Sequence, residues 1–367
     1  MSLRRRCDPS FRKGLVSYSV IEADLASDRS TIVGLWAANF EGGEELADRR
    51  YEWIYLRNPA GRARCWLLRH DASGAFVGAA AQFPRVFSFE GRVVRGAIGA
   101  DYSVLPEHRS LLPAMKLQRV ATSEGKRNGI SFLYGFPAAN SAPVLTRSGY
   151  KQLGMRSVLS KPLTTRGRLK RLAGPFMAGL LVPAADLAWH SYWKFRRPPM
   201  RRRIVTELLD GFDERFDRLW DAMPGRRALV GVRNREYLNW RFKEAPYPVE
   251  YRVWTLRNAD SGELLGYIVF HTRGDRAVVD DVLCLNEGEY LASLTASFGD
   301  MCRRNGHTSI TVPYFGHPVL SEALRREGYR DMPTTAQAIV SSDDPALYEP
   351  GLDTTQKWWL FSSDVDV

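Results

Sequence analysis

Alternation of apolar and polar residues predicts short strands in the first 160 residues, and apolar residues at helical spacing predict helices between them. The strands are predicted at residues 15–21, 65–68, 76–83, 86–89, 93–98, 98–104, 130–136 and 150–160. The helices are predicted at residues 27–39, 51–56, 113–126 and 138–147. Strands and helices mixed in this order are typical of an α/β fold.

The second half of the chain repeats landmarks of the first half in the same order. Gly74 and Gly78 recur 188 residues later as Gly262 and Gly266, and the tripeptide Arg-Asn-Gly at 127–129 recurs at 304–306. Agreement in both order and spacing indicates two related domains. The alternative is a chance similarity between two unrelated α/β domains.

The stretch from residue 98 to residue 116 is predicted to form a strand, a turn and the start of a helix. Pro106 ends the strand, Ser110 is a candidate N-cap, and Pro113 fits a first helical turn, where no backbone N–H is needed. A helix N-terminus offers free N–H groups and the positive end of the helix dipole, which suits a phosphate.

This stretch and the order of elements resemble the GCN5-related N-acetyltransferase superfamily, whose pyrophosphate loop reads (Gln/Arg)-x-x-Gly-x-(Gly/Ala). Arg109 and Ala114 match the ends of that loop, and Leu112 stands where glycine is usual. The resemblance implies two tandem acyl-CoA N-acyltransferase folds, with mixed sheets flanked by helices, at residues 1–165 and 204–367. A basic, apolar insertion at 166–203 joins them. The second copy lacks the loop.

Within the superfamily, the chain is similar to Fem-type peptidyl transferases and to acetyltransferase-like proteins of exopolysaccharide clusters. The tandem arrangement with one degenerate half carries this similarity, and the Trp-rich ending TQKWWLFSSDVDV is like that of the second group. The similarity implies acyl-CoA-dependent N-acyl transfer to an amine or amino sugar, in envelope or polysaccharide synthesis. Two alternatives stay open: a Fem-like transferase that uses aminoacyl-tRNA, and an inactive scaffold of a membrane-associated synthase.

The resemblance also implies which residues hold acetyl-CoA or another acyl-CoA. Backbone groups of the central strand would polarise the thioester, pantetheine would lie between that strand and 130–136, and the loop would bind the phosphates. The cofactor-binding residues implied are Tyr102, Ser103, Val104, Arg109, Ser110, Leu111, Leu112, Pro113, Ala114 and Asn140.

Three residues are candidates for the proton transfers. Asp101 lies on the strand that often carries the family's base, and its alternative role is an ion pair with a neighbouring arginine. Ser141 and Tyr150 are candidates to protonate the leaving thiolate, although Tyr150 has a counterpart in Tyr329 and so also fits the core.

Other chemistries have little support in the sequence. The six histidines and four cysteines show no metal-ligand spacing, so no metal is expected. Walker, Gly-x-Ser-x-Gly and Gly-x-Gly-x-x-Gly motifs do not occur. No secretory signal is recognised at the N-terminus, so a cytoplasmic location is expected.

The formal charge of +11 is concentrated in the insertion, where residues 166–203 carry +9. Its longest uncharged run, 172–185, has 14 residues and two prolines, fewer than the about 20 that a membrane span needs. We expect a segment that lies on an anionic membrane surface. The alternatives are a linker helix packed across the two domains and, less favoured, nucleic acid, with tRNA as the special case.

Overall fold

One mixed sheet of sixteen strands runs through the computed structural model, which describes residues 17–195, 203–223, 228–348 and 352–365. The strands are Tyr18–Glu22 (β1), Arg64–His70 (β2), Phe76–Phe89 (β3), Arg92–Val104 (β4), Phe132–Gly135 (β5), Lys151–Met155 (β6), Ser157–Pro162 (β7), Ile204–Leu209 (β8), Leu229–Gly231 (β9), Tyr251–Asn258 (β10), Leu264–Arg273 (β11), Arg276–Cys284 (β12), Ser309–Gly316 (β13), Arg330–Asp331 (β14), Gln337–Ser342 (β15) and Trp358–Leu360 (β16). The predicted mixed α/β class is confirmed.

Helices connect the strands. They are Arg29–Ala37 (α1), Gly43–Arg50 (α2), Leu111–Gly125 (α3), Ala142–Arg147 (α4), Arg166–Phe195 (α5), Glu214–Asp221 (α6), Arg235–Phe242 (α7), Ala292–Arg304 (α8), Pro318–Arg326 (α9) and Pro345–Tyr348 (α10). A π-helical turn, Tyr51–Leu56, continues α2, and a second one, Glu287–Leu291, precedes α8. The sequence prediction at 51–56 therefore located only the end of a longer helical segment.

The two halves of the sheet have the same strand order and exchange one strand. In the first half the order is β1-β2-β3-β4-β5-β15-β6, and in the second it is β8-β10-β11-β12-β13-β7-β14. In each half the fourth and fifth strands are parallel. Strand β7 comes from the first half of the chain and lies in the second half of the sheet. Strand β15 comes from the second half of the chain and lies in the first half of the sheet.

The exchange shows why the sequence prediction of one strand at 150–160 was wrong. Residues Lys151–Met155 pair with β15, whereas Ser157–Pro162 pair with β13 and β14. Only Arg156 separates two strands that lie in different halves. Periodicity cannot detect such a step because the pattern of alternation continues through it.

The predicted breaks near residues 84 and 98 were also wrong, because β3 and β4 are long uninterrupted strands. Pro84 lies within β3 and is paired with Ala97 of β4. On the other side of β3, pairing with β2 ends at Gln82 and pairing with β9 begins only at Phe87. Pro84 thus falls where no neighbouring strand needs its N–H. The predicted first strand begins before residue 17, outside the described residues.

The two halves share a core around a pair of stacked tryptophans. The Trp53 and Trp240 rings lie 4.8 Å apart, and each indole Nε1 donates to the other residue's carbonyl, at 2.8 and 3.1 Å. Strands β9 and β16 then link β3 of the first half to β13 of the second. The sheet and the core are therefore continuous from one half to the other.

Helix α5 occupies most of the predicted insertion and is interrupted at Gly174, whose φ of 77° and ψ of 169° are not helical. By length and composition, Arg166–Trp193 is the one stretch of the described chain that could cross a membrane. Few of its side chains are buried in the protein. Near its end, the Trp193 ring packs against Gly328 and lies 5.6 Å from the Lys161 ammonium.

Candidate functional site

A wedge opens in the first half where β4 and β5 separate. The two parallel strands pair only over three residues, Gly96–Ile98 with Phe132–Tyr134. Beyond Ile98 strand β4 continues to Val104 without a β5 partner. A bulge at Asp101, with φ of 50°, shifts the register with β3 between Ala79 and Ala81. Bulges of this kind bend a strand and redirect its side chains.

The wedge opens into a cleft of about 680 Å³. Its walls are the end of β4, the loop and first turn of α3, the residues before α4, and the segment after α1. From the predicted cofactor-binding set it is lined by Tyr102, Ser103, Val104, Arg109, Ser110, Leu111, Ala114 and Asn140. The predicted catalytic residue Ser141 lines it as well.

Leu112 and Pro113 are the two residues of the predicted cofactor-binding set that do not line the cleft. Leu112 is 81% exposed and Pro113 is buried under the first turn of α3. The leucine that replaces the family's glycine therefore points to solvent and does not fill the cleft. Binding of a pyrophosphate by a loop with leucine at this position stays a prediction.

Two backbone N–H groups of the loop donate hydrogen bonds to carbonyl groups within the loop. The N–H groups of Arg109 and Ser110 donate to Pro106 and His108 carbonyls at 3.2 and 2.9 Å. Ser110 occupies the N-cap position, yet its side chain makes no capping hydrogen bond. Because Pro113 has no N–H, the amides of Leu111 and Leu112 are the groups at this helix end without a backbone acceptor among the described residues.

The Arg109 side chain crosses the mouth of the cleft. Its Nε donates to the Val104 carbonyl at 2.8 Å, and its Nη2 donates to Asn39 Oδ1 at 3.0 Å. A guanidinium has five N–H donors, so three remain for an anion. Asn39 and Phe40 also line the cleft. These two residues were not predicted to line the site, because they follow a helix and belong to no recognisable motif.

A narrower pocket of about 160 Å³ continues from the cleft between the separated strands. Its strand walls carry small residues, including Ala81, Gly99 and Gly135. Asp101, Ser141 and Tyr150 all line it, so the structure brings the three predicted catalytic residues to one pocket. A β-carbon at Gly99 would lie 3.1 Å from the Tyr150 hydroxyl, which places that hydroxyl directly over the strand.

Tyr150 is buried, and burial raises the pKa of its phenol well above the ordinary value. Desolvation likewise raises the pKa of Tyr102 to about 12. Both phenols therefore stay protonated at neutral pH and can donate a proton but not accept one. Ser141 is half-buried, and its hydroxyl lies 3.4 Å from Asn140 Oδ1.

Asp101 is buried and its carboxylate is already bound. Arg50 Nη1 lies 2.6 Å from Asp101 Oδ2, and the Tyr55 hydroxyl donates to the same oxygen at 2.7 Å. In the second half Asp281 is bound in the same manner, by Arg233 at 2.8 Å and the Tyr267 hydroxyl at 2.8 Å. The ion pair with an arginine, which was the alternative for Asp101, is present, and a role as base stays a prediction.

The two loop residues Glu107 and His108 stand outside the pocket. The His108 imidazole Nδ1 is 3.0 Å from the Tyr18 hydroxyl, and its ring packs 4.9 Å from the His70 ring. Among the described residues there is no cluster of three or more His, Cys, Asp or Glu side chains that could hold a metal ion.

The corresponding wedge of the second half is filled by the C-terminal segment. Strand β16 pairs with the end of β13, and the Trp359 indole Nε1 donates to the Val282 carbonyl of β12 at 2.9 Å. Val282 is the counterpart of Tyr102. Gly266 pairs with Cys284 as Gly78 pairs with Val104, and Val282 and Tyr102 each lie two residues before the second member of their pair. In the second half the Trp359 indole therefore binds the Val282 carbonyl, whereas the corresponding residue of the first half, Tyr102, lines the open cleft.

Comparison with known proteins identifies the fold. No family model and no curated protein matches the sequence. A probable N-acyltransferase from Enterococcus faecalis V583, described as a conserved protein of unknown function, has a similar structure, with a TM-score of 0.61 and 12% identity over 88% of this chain and 72% of that one. A GCN5-related N-acetyltransferase from Anabaena variabilis ATCC 29413 has a TM-score of 0.59 and 14% identity over 88% and 72%.

A third similar structure is a GCN5-related N-acetyltransferase from Kribbella flavida, with a TM-score of 0.54 and 15% identity over 89% of this chain and 71% of that one. At these identities the likeness shows the fold. The chain has the fold of GCN5-related N-acetyltransferases, and the likeness extends over both of its halves.

Proposed function

We propose that the protein transfers an acyl group from acyl-CoA to a primary amine, and that the first half carries the active site. The observation that carries this proposal is the contrast between the two wedges. The first is open and leads from an arginine at a helix N-terminus to a pocket with a buried tyrosine. The second is filled by the chain's own tryptophan.

The cleft suits the shape and charge of an acyl-CoA. Arg109 and the free amides of Leu111 and Leu112 form a positive site for the pyrophosphate. Strand β4 has no β5 partner at Tyr102 and Ser103, so the backbone there can pair with the amides of the pantetheine arm, while the Val104 carbonyl accepts from Arg109. The pocket beyond them is lined by small residues and has room for the thioester and a short acyl chain.

Acyl transfer then follows from these positions. The amine nitrogen attacks the thioester carbon, a C–N bond forms, and the C–S bond breaks. Backbone N–H groups of β4 stabilise the negative charge that develops on the carbonyl oxygen. Tyr150 donates its proton to the leaving thiolate, and the amine loses a proton to a base, for which Asp101 is the candidate.

The acceptor is an amine or an amino sugar in envelope or polysaccharide synthesis, as the sequence resemblance implies. A Fem-like reaction with aminoacyl-tRNA is the alternative that the basic residues 166–203 keep open, and ribonuclease sensitivity of the activity would distinguish it. The inactive-scaffold alternative rests on Leu112, which stands where the related loop has glycine, and acyl-CoA binding tests it.

The test is calorimetric titration with acetyl-CoA and longer acyl-CoAs. We expect micromolar binding that Arg109→Glu weakens by about ten- to a hundredfold, because a charge-assisted hydrogen bond contributes about 1.5–3 kcal/mol. Arg119→Glu is the matched control, since Arg119 is an exposed residue of the same helix that does not line the cleft. Absence of binding to every acyl-CoA would reject the proposal.

A further inference from the structure

Helix α5 is a hairpin of two helical arms. Asp186 accepts hydrogen bonds from the Thr165 backbone N–H at 2.5 Å and from the Thr164 hydroxyl at 2.8 Å. Gly174 is the non-helical residue between them. At 1.5 Å per residue, arms of about 13 Å and about 18 Å lead from Gly174 to Thr165 and to Asp186. Their ends can meet only if the arms run nearly antiparallel, so α5 reverses direction at Gly174.

A narrow stripe of residues on one side of the longer arm faces the shorter arm. Ala178, Val182 and Asp186 recur every four residues and so share one side of the helix. The first two are buried, and Asp186 binds the start of the shorter arm. Near the far end, Trp193 packs against Gly328 of the second half. The base of the hairpin is thus held by the body of the protein.

The tip of the hairpin exposes large apolar side chains. Phe176 is 80% exposed, Leu172 73% and Leu180 65%, and Met177 and Leu181 beside them are exposed as well. Single exposed apolar residues are common, but a contiguous group on one projecting element indicates a binding surface. We call these five residues the apolar tip.

Basic residues surround the apolar tip on the shorter arm. Arg166, Arg168, Lys170 and Arg171 are all exposed, and no acidic residue lies between residues 166 and 185. An apolar group beside several cations matches an anionic lipid surface, whose acyl region accepts the apolar side chains and whose headgroups accept the cations. Charge complementarity therefore favours a lipid surface over an apolar protein partner.

We propose that the apolar tip inserts into one leaflet of an anionic membrane and that the basic residues bind its headgroups, without α5 crossing the bilayer. The reversal at Gly174 leaves the shorter arm too short to span, and Asp186 and Trp193 keep the longer arm attached to the protein. Insertion to the depth of the headgroup and upper acyl region, roughly 5–10 Å, is what one hairpin tip can reach.

The experiment is co-sedimentation of the full-length protein with vesicles of phosphatidylcholine alone or mixed with phosphatidylglycerol. We expect binding to the mixed vesicles that falls at high salt. Phe176→Glu combined with Leu180→Glu should weaken binding about tenfold or more. Val93→Glu is the control, because Val93 is an equally exposed apolar residue (77%) on another element. Arg168→Glu with Lys170→Glu should weaken binding to the anionic vesicles only.

Three outcomes would overturn the proposal. If Val93→Glu weakened vesicle binding as much as the Phe176 and Leu180 substitutions, the apolar tip would not be the membrane-binding site. Resistance of the bound protein to extraction at alkaline pH would indicate a membrane span instead. Binding to neither vesicle, together with a dimer that the Phe176 and Leu180 substitutions convert to a monomer, would identify a second copy of the chain as the occupant. Circular dichroism confirms that each variant is folded.

Discussion

The Tyr150 side chain is buried in the pocket that Asp101 and Ser141 also line. Its counterpart Tyr329 made a purely structural role plausible from the sequence. The structure places the Tyr150 hydroxyl in the pocket between β4 and β5. Burial raises the pKa of this phenol, so it is protonated at neutral pH, and in the proposed reaction its proton is available to the leaving thiolate.

We therefore expect Tyr150→Phe to lower kcat by about a hundredfold or more while leaving the Kd for acetyl-CoA nearly unchanged. The measurement is steady-state kinetics beside calorimetric binding. The reason is that the hydroxyl acts on the thiolate, which exists only after the C–S bond weakens.

Tyr329→Phe is the matched control for this change. Tyr329 is buried in the second half, whose wedge is filled, so its loss should affect stability and leave kcat unaltered. Equal effects of the two substitutions on kcat would contradict the role assigned to Tyr150.

The carboxylates Asp101 and Asp281 show how far residue-level prediction could go. Comparison of the two halves in sequence pairs Asp101 with an acidic residue of the second central strand, Asp280 or Asp281, and the strand pairing selects Asp281. It could not identify Arg50 or Arg233, the partners of these carboxylates, because each lies 48 to 51 residues away in sequence. Long-range ion pairs leave no local pattern to read.

At the scale of elements, strands and helices were predicted well where their pattern is local. Helix α3 begins within two residues of its predicted start, and Gly74 and Gly262, which the repeat pairs, both lie in turns between two strands. The wedge was not predictable in detail. It depends on where two parallel strands stop pairing, at Ile98 and Tyr134, and no local pattern in the sequence marks that point.

The exchange of β7 and β15 is the element-scale feature with the most direct consequence for stability. Each half of the sheet contains one strand from the other half of the chain. Without β15, the edges of β5 and β6 would be exposed and their backbone groups would lack partners. The apolar side chains that pack against Ile339 of β15 would also be exposed to solvent.

We expect residues 1–165 and residues 204–367, produced separately, to be unfolded, aggregated or self-associated. The boundaries predicted from the sequence thus remain a prediction that this experiment also tests. Far-UV circular dichroism and gel filtration are the measurements, with the intact chain as the control. A stable folded monomer from either fragment would show that the exchanged strand is dispensable.

At the scale of the whole molecule, Asp364 near the C-terminus ties the two halves together. Its carboxylate is fully buried and accepts hydrogen bonds from Arg85 of the first half at 3.1 Å and Arg233 Nη1 of the second at 2.9 Å. Burial raises the pKa of Asp364, but the two guanidinium groups lower it more, so the net pKa lies below the ordinary value.

This depressed pKa predicts the pH dependence of stability. The contribution of Asp364 is fully present above the pKa of an unfolded aspartate, about 3.9, and is lost as the pH falls through that value toward the folded pKa. Urea unfolding between neutral and acidic pH should show this loss.

Asp364→Asn should lower the stability at neutral pH by about 3–5 kcal/mol, because two buried arginines lose their shared partner, and it should flatten the acid limb of the curve. Asp353→Asn, a change in an exposed residue of the same C-terminal segment, is the control. An acid limb that is unchanged by Asp364→Asn would contradict this assignment.

The exchanged strands also fix an order of events during synthesis on the ribosome. The chain emerges from its N-terminus, so β5 and β6 are complete about 180 residues before β15, the strand that belongs between them. Until then the nascent first half holds an open slot at the sheet edge that any strand of suitable sequence could enter. The cleft in that half can reach its final form only when translation has passed residue 342.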